Sequence, residues 1–394
     1  MKFSVFAWVK PYVGRWRVGG AFLALCITFA TPLGHAESLR TETVVQGLEH
    51  PWALAFLPDG RFLVTERPGR LRMVDAQGRI GVPITGLPKV DARGQGGLLD
   101  LQLDSEFAGN RLIYFCYAEP GEGGNSTALA RARLSPDGSQ LTELQVLFRQ
   151  QPKVQSSAHF GCRIVEGQRN GKADGTLYLA LGERFTRKED AQTLNNHHGK
   201  VIRILKDGKA PADNPFATPE ARQAGALPEI WSYGHRNPQG LVQAPDGRLW
   251  EMEHGPQGGD EVNLIAADRN YGWPVITYGE NYGGGKISAG ITTQAGMEQP
   301  LYYWTPSIAP SGMAFVSSQR YGKEWVGNLV VGSLKFGYLA RLELSAPFAG
   351  TVVRETQHLQ SLGERVRDVR QGPDGWLYLL TDHPQGRLLR VLPR

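Results

Sequence analysis

The sequence predicts an all-β protein: a six-bladed β-propeller of four-stranded blades, with long loops forming one functional face. Three observations carry that prediction. A Gly-containing turn followed by alternating apolar residues recurs six times along the chain. Glycine is in excess, 49 of 394 residues, or about 12% against a usual ~7%, with no collagen-like period. Sustained amphipathic helical periodicity is missing, so the apolar runs read as short strands. A hydrophobic share of 41% and a charged share of 21% exclude a disordered chain.

The first 36 residues are expected to be a leader. Residues 1–36 carry Lys2, Lys10, Arg15 and Arg17, then an apolar run from Ala21 to Ala30, then small residues before Ala36. That order is a signal peptide cut after Ala36, and its apolar core is too short to span a bilayer. Its removal takes away four positive charges and no negative ones, so the formal +5 of the whole chain becomes a nearly neutral mature protein. Such a balance gives no electrostatic reason to expect nucleic acid as partner. Residues 37–394 are then expected to form one propeller domain in a periplasmic or secreted protein.

The repeats follow in order: PDGRFLVTE from Pro58, GNRLIYFCY from Gly109, ADGTLYLALGE from Ala173, PDGRLWEME from Pro245, GNLVVGSL from Gly327 and PDGWLYLLTD from Pro373. An Asp-Gly or Gly-Asn turn supplies the backbone geometry of a tight hairpin. Spacings of this size are those of propellers and arrays. Two β-sandwiches sharing such turns are the alternative, but no Pro/Ser-rich linker divides the chain.

Polar clusters stand between the repeats. They are Arg93–Leu99 (RGQGGLL), Ser156–Arg163 (SSAHFGCR), Tyr233–Gly240 (YGHRNPQG), Glu253–Glu261 (EHGPQGGDE), Asn270–Pro274 (NYGWP), Ser333–Lys335 and Arg365–Asp368. Arg365 and Arg367 are two apart, so a strand aims both to one face and Asp368 to the other. They sit either on a solvated face with salt bridges or, with Lys335 and Arg236, around a polyanionic small ligand. His159 is either a general base or a structural hydrogen-bonding residue. Asp260, Glu261 and nearby glycine carbonyls are hard oxygen donors, suited to Ca²⁺ where they bind a metal at all. Adjacent His197 and His198 lack zinc spacing. Gly283-Gly284-Gly285-Lys286 lacks the Ser or Thr of a phosphate loop. Cys116 and Cys162 survive processing; whether they pair depends on a distance that the sequence does not give.

The ordered series GQGGLLDL, HFGCRI, GHRNPQGL, EHGPQGGDEVNLI, NYGWP, SLK and RVRDV resembles the soluble aldose sugar dehydrogenases of the glucose/sorbosone dehydrogenase family, which use pyrroloquinoline quinone (PQQ). The likeness runs through the mature chain and implies a six-bladed propeller. It implies that His159 is the base taking the C1 hydroxyl proton of an aldose while hydride passes to PQQ, yielding a lactone. Arg236, Asn237, Ser333, Lys335, Arg365 and Arg367 match cofactor-binding positions. Gly255 and Pro256 match the carbonyls that hold a PQQ-bound Ca²⁺, and Glu261 with the Tyr271 backbone those of a second Ca²⁺. Gln95 and Tyr282 fall at substrate positions. Electrons would pass to an external acceptor. The family commonly has Asp where this chain has Glu183, a residue that orients the catalytic His. Long loops of the dedicated glucose enzyme are not evident, which implies an open pocket of broad aldose specificity. A calcium-dependent lactonase and a non-enzymatic carbohydrate- or protein-binding propeller are the competing readings, since fold alone does not fix function.

Overall fold

Each of the six turn-plus-strand repeats is the second strand of its own small antiparallel sheet in the computed structural model, which describes residues 39–394. These strands are Phe62–Glu66, Leu112–Gly121, Lys172–Leu181, Leu249–Glu253, Leu329–Ser333 and Leu377–Thr381. The expected leader lies outside the described residues. Among them, no helix is long and apolar enough to cross a membrane.

The innermost strands are Pro51–Phe56, Leu98–Leu103, Gly161–Arg169, Pro238–Gln243, Pro310–Phe315 and Val366–Gln371. Each packs against the next and the sixth against the first, so the six sheets close into a propeller around a central channel. The last blade is completed from the other end of the chain. Leu39–Leu48 pairs antiparallel with Gly386–Pro393, covering an edge that would otherwise be unpaired. The third blade carries an extra two-residue strand, Arg269–Asn270, parallel to Ile230–Tyr233.

All six innermost strands begin at one mouth of the channel and all six are irregular there. Register shifts fall between Pro51 and Ala53, Leu98 and Leu101, Gly161 and Arg163, Pro238 and Gly240, Pro310 and Met313, and Val366 and Asp368. A bulge leaves its extra residue outside the ladder and re-aims its side chain. The released residues include Trp52, Cys162, Gln239 and Arg367, and three of these four line the cavity at this mouth.

Cys162 uses its freedom differently. It forms a disulfide with Cys116 of the second blade, across a sequence separation of 46. In the loop-closure account a span of this length stabilises by roughly 4 kcal/mol. The Cys116→Ala/Cys162→Ala protein is therefore expected to melt at lower temperature than the oxidised wild type in calorimetry. Equal midpoints would refute that role.

The channel is blocked midway. Arg163 Nη1 reaches Asp368 at 2.9 Å and Asp100 at 3.4 Å, and Arg370 bonds Asp368 at 2.9 Å and Asp100 at 2.5 Å. Both acids and Arg163 are buried. Asp368 thus bonds Arg163 and Arg370 and not Arg365 or Arg367. This quartet separates the cavity at the bulged mouth from a second one at the opposite strand ends.

Candidate functional site

The cavity at the bulged mouth has a volume of about 430 Å³. Every blade contributes, through residues such as Trp52, Gln95, Phe160, Asn237, Ala309 and Arg367. Its chemistry is cationic. Arg365 and Arg367 both bond Asp382 Oδ2, at 3.3 and 3.0 Å, and His50 Nδ1 bonds the other oxygen at 2.9 Å. Burial works to raise the Asp382 pKa, but Arg367, His50 and Arg365 outweigh it and hold the carboxyl below the usual range. Burial, with Arg365 and Arg163 close by, pulls the Arg367 pKa down. One carboxylate is thus shared by two guanidinium groups. Lys335 is exposed, its ammonium 5.0 Å from the Phe336 ring centre and in no salt bridge among the described residues. A polyanionic ligand would supply the missing negative charge.

Trp52 forms part of the wall, with the Arg163 guanidinium 4.1 Å and the Arg367 guanidinium 5.8 Å from its ring centre. Gln239 bridges Asn237 and Arg367: its amide nitrogen donates to Asn237 Oδ1 at 3.3 Å and its oxygen accepts from Arg367 at 3.4 Å. Ser333 is buried beside the turn that carries Lys335. Its hydroxyl donates to the Ile308 carbonyl at 2.8 Å and accepts the Phe336 N–H at 3.0 Å, so it shapes the turn that presents Lys335.

His159 precedes the third innermost strand on a strained segment. Non-glycine residues with positive φ concentrate here: His159 (51°), Cys162 (80°), Arg184 (64°) and Phe185 (64°). Such conformations persist only where the surroundings over-determine them. The surroundings do so. Gln95 Oε1 accepts the His159 N–H at 2.8 Å, and the Gln95 N–H donates to Ser157 O at 2.7 Å. Arg184, fully buried over the Phe160 ring at 3.8 Å, donates to the Ala158 and Ser156 carbonyls at 3.1 and 2.8 Å. His159 Nδ1 lies 3.0 Å from Glu183 Oε1, so the extra methylene of Glu over Asp does not prevent the contact. The exposed Phe185 ring packs edge-on to the imidazole at 5.1 Å. Burial lowers the His159 pKa below its ordinary value; Glu183 opposes this and the Arg236 charge adds to it. Burial thus favours the neutral imidazole, and the tautomer that gives Nδ1–H to Glu183 leaves the Nε2 lone pair for chemistry.

Arg236 lies between this histidine's side of the site and an acidic cluster. Its Nη1 donates to the His254 and Gly255 carbonyls at 3.0 and 2.7 Å, and its Nε is buried without a partner. Its guanidinium stands 5.1 Å from the Trp273 ring centre and 6.0 Å from that of exposed Tyr282. The Arg236 and Asn237 amides both donate to Glu253.

Beneath Arg236, a void of about 10 Å³ is bordered by Glu253, Gly255, Glu261 and Tyr271, space for one water-sized sphere. His235, Glu251 and Glu253 bring ligand atoms within 4.8 Å of one another. Burial and the charge of Glu253 push the Glu251 and Glu261 pKa values well up. Glu251 Oε1 and Asn263 Oδ1 are buried without partners. Oxygen-rich, crowded and under-satisfied, this cluster fits a hard divalent cation such as Ca²⁺. The Tyr271 hydroxyl is engaged with Leu264 O at 2.6 Å, so only its backbone is available. Asp260 is not part of the cluster's open donor set. Its oxygens accept the N–H groups of Gly255, Ile308 and Ala309, and burial raises its pKa to about 6. It fastens the fourth blade's loop to the fifth blade.

Sequence reading did not single out Glu251, Asn263, Asp382 and Arg184, and it placed His235 and Glu253 in polar clusters without giving either a role. One signal was present. Glu251 and Glu253 alternate on one strand and Glu261 and Asn263 on the next, so all four face one side.

Fold and site together define a β-propeller with a small-molecule site, histidine-bearing and cationic, at one mouth of its channel. The profile of the family described as Glucose / Sorbosone dehydrogenase matches residues 48–390, and the chain belongs to that family. It is 43% identical over 378 residues to aldose sugar dehydrogenase YliI of Escherichia coli (strain K12), covering 95% of this chain and 98% of that one. The crystal structure of the soluble aldose sugar dehydrogenase from Escherichia coli in the apo-form superposes with a TM-score of 0.82 at 42% identity, covering 90% of this chain and 100% of that one. The PQQ-bound form of aldose sugar dehydrogenase from Streptomyces coelicolor gives 0.73 at 28% identity, covering 91% and 99%.

Proposed function

We propose that this protein is a PQQ- and calcium-dependent aldose sugar dehydrogenase, exported by the signal peptide at residues 1–36 and working in the periplasm or outside the cell. The observation that carries the reading is His159, buried and held by Glu183, beside a cavity whose cations outnumber their carboxylate partners. When bound, PQQ supplies the hydride acceptor and its Ca²⁺ a Lewis acid.

The protein's own part is positioning and proton transfer. Arg365, Arg367 and Lys335 hold the carboxylates of the cofactor, with Ser333 setting the turn of Lys335. Arg236 and Asn237 would contact the cofactor from the fourth blade. Gly255 and Pro256 offer backbone oxygens to its calcium, the Gly255 carbonyl now serving Arg236. Glu261 and the Tyr271 backbone, with Glu251, Glu253 and Asn263, hold the second calcium. His159 Nε2 takes the proton of the C1 hydroxyl as the sugar is oxidised to its lactone, and Glu183 stabilises the imidazolium that results. Gln95, its oxygen committed to His159, presents its amide nitrogen to the sugar, and Tyr282 borders it from the rim.

The test is reconstitution of the purified mature protein, following reduction of an artificial electron acceptor with a panel of aldoses. Turnover is expected to require both PQQ and Ca²⁺, with mono- and disaccharides accepted. Hydrolysis of lactones without PQQ would overturn the reading in favour of a lactonase. PQQ failing to bind by titration would favour a binding propeller.

A further inference from the structure

A further concavity, outside the channel and about 590 Å³ in volume, lies between the outer strands of the fourth and fifth blades. This is within the ~300–1,000 Å³ usual for small-molecule sites. Two aromatic pairs border it. Tyr303, on the strand Tyr302–Trp304, stacks on Tyr278 at 3.9 Å with ring planes 13° apart. Phe336 lies parallel to Tyr338, centres 6.1 Å and planes 2° apart. Tyr303 and Phe336 are 45% and 48% exposed, so each presents ring surface to solvent from a fixed pair.

The rest of the lining mixes apolar Pro306 and Ile308 with Thr305, Glu355, Gln357 and Gln360. Glu355 Oε2 accepts from the Tyr302 hydroxyl and the Trp304 indole N–H, both at 2.8 Å. Its other oxygen accepts from the Gln357 amide at 3.3 Å, and Gln360 donates to Gln357 at 2.8 Å. A pyranose ring has a face of C–H bonds and a rim of hydroxyls. The C–H face matches the negative face of an aromatic ring, and the hydroxyls match amide donors and acceptors. An anion at this end of the groove would meet the Glu355 carboxylate.

The groove adjoins the cavity. A two-segment ridge separates them: Ile308 and Phe336 face the groove, while Ala309 and Leu334 face the cavity. The ridge is joined by the Leu334 N–H to Ala309 O at 3.0 Å and the Lys335 N–H to Ile308 O at 3.2 Å.

We propose that this groove is a second saccharide site, taking neutral pyranose units of oligosaccharides and keeping them beside the cavity where their reducing ends are oxidised. The location beside an oxidising cavity rests on the aldose dehydrogenase reading; the binding itself does not. The first measurement is calorimetric titration of the protein with maltohexaose and with glucose. Wild type is expected to bind maltohexaose more tightly than glucose, and Tyr303→Ala or Gln357→Ala to weaken maltohexaose by about tenfold, the scale of one lost aromatic contact. In turnover, KM for maltohexaose should rise by a like factor while glucose kinetics stay unchanged. Unaltered maltohexaose binding in both variants overturns the proposal. So does self-association of wild type on gel filtration that Tyr303→Ala abolishes, which would make the groove an interface between copies. Variant-sensitive binding with no sugar oxidation would sink the dehydrogenase reading and leave the groove standing; glucose oxidation with variant-insensitive binding would do the reverse.

Discussion

Replacing His159 with alanine is expected to lower kcat of the reconstituted enzyme by about 10²–10⁴-fold, the usual contribution of a positioned general base. PQQ binding should survive, because the groups proposed to hold the cofactor belong to other blades. The same reading fixes the pH dependence. The histidine acts unprotonated, so rate is lost as pH falls through its pKa. Burial and the Arg236 charge place that pKa below the ordinary 6.5, and the acid limb of kcat/KM should lie there too. Glu183 is the group that works to raise it. Glu183→Gln should therefore lower kcat and move the acid limb further down, a shift that a merely structural role would not produce. Retained kcat in His159→Ala, or an acid limb above 6.5, would remove His159 from the chemistry.

The fold was legible because its signals are local. A turn of Asp-Gly type followed by alternating apolar residues encodes a hairpin and strand within about ten residues, and all six such units became second strands. The closing strand Leu39–Leu48 was not legible, since its partner Gly386–Pro393 lies at the other end of the chain. Nor were the bulges. Arg365 and Arg367 were expected on one face by strand alternation, and they do converge on Asp382. Yet Arg367 is the residue released by the register shift between Val366 and Asp368, so alternation alone does not explain its aim. Individual site residues such as His159 and Arg236 could be named from motifs. What holds them could not: Arg184 acts through carbonyls 26 and 28 residues away, and Asp382 belongs to a different strand end from the arginines it answers.

Calcium removal is expected to have the largest effect on stability. Glu253 lies directly across from Glu261 on neighbouring strands, and Glu251 across from Asn263. Like charges directly opposite are destabilising even at a sheet surface, and burial enlarges the effect. Neither nearby lysine nor arginine pairs with Glu251, Glu253 or Glu261 in a salt bridge among the described residues; His235, at 3.4 Å from Glu253, is the single basic group in contact. A divalent cation in the void between Glu253, Glu261 and Tyr271 would answer the charge that the fold leaves unanswered. A ligand that binds the native state alone adds about 4 kcal/mol at a thousand times its Kd. The melting temperature should therefore fall on chelation and recover with Ca²⁺. Glu261→Gln separates this from a general salt effect: the calcium-dependent gain should disappear, while the metal-free variant melts no lower than metal-free wild type, because one member of the crowded set has lost its charge. A metal-free variant less stable than metal-free wild type would mean that Glu261 is held by something other than a cation. Identical melting of wild type with and without calcium would mean that the protein tolerates its buried acids by keeping them protonated.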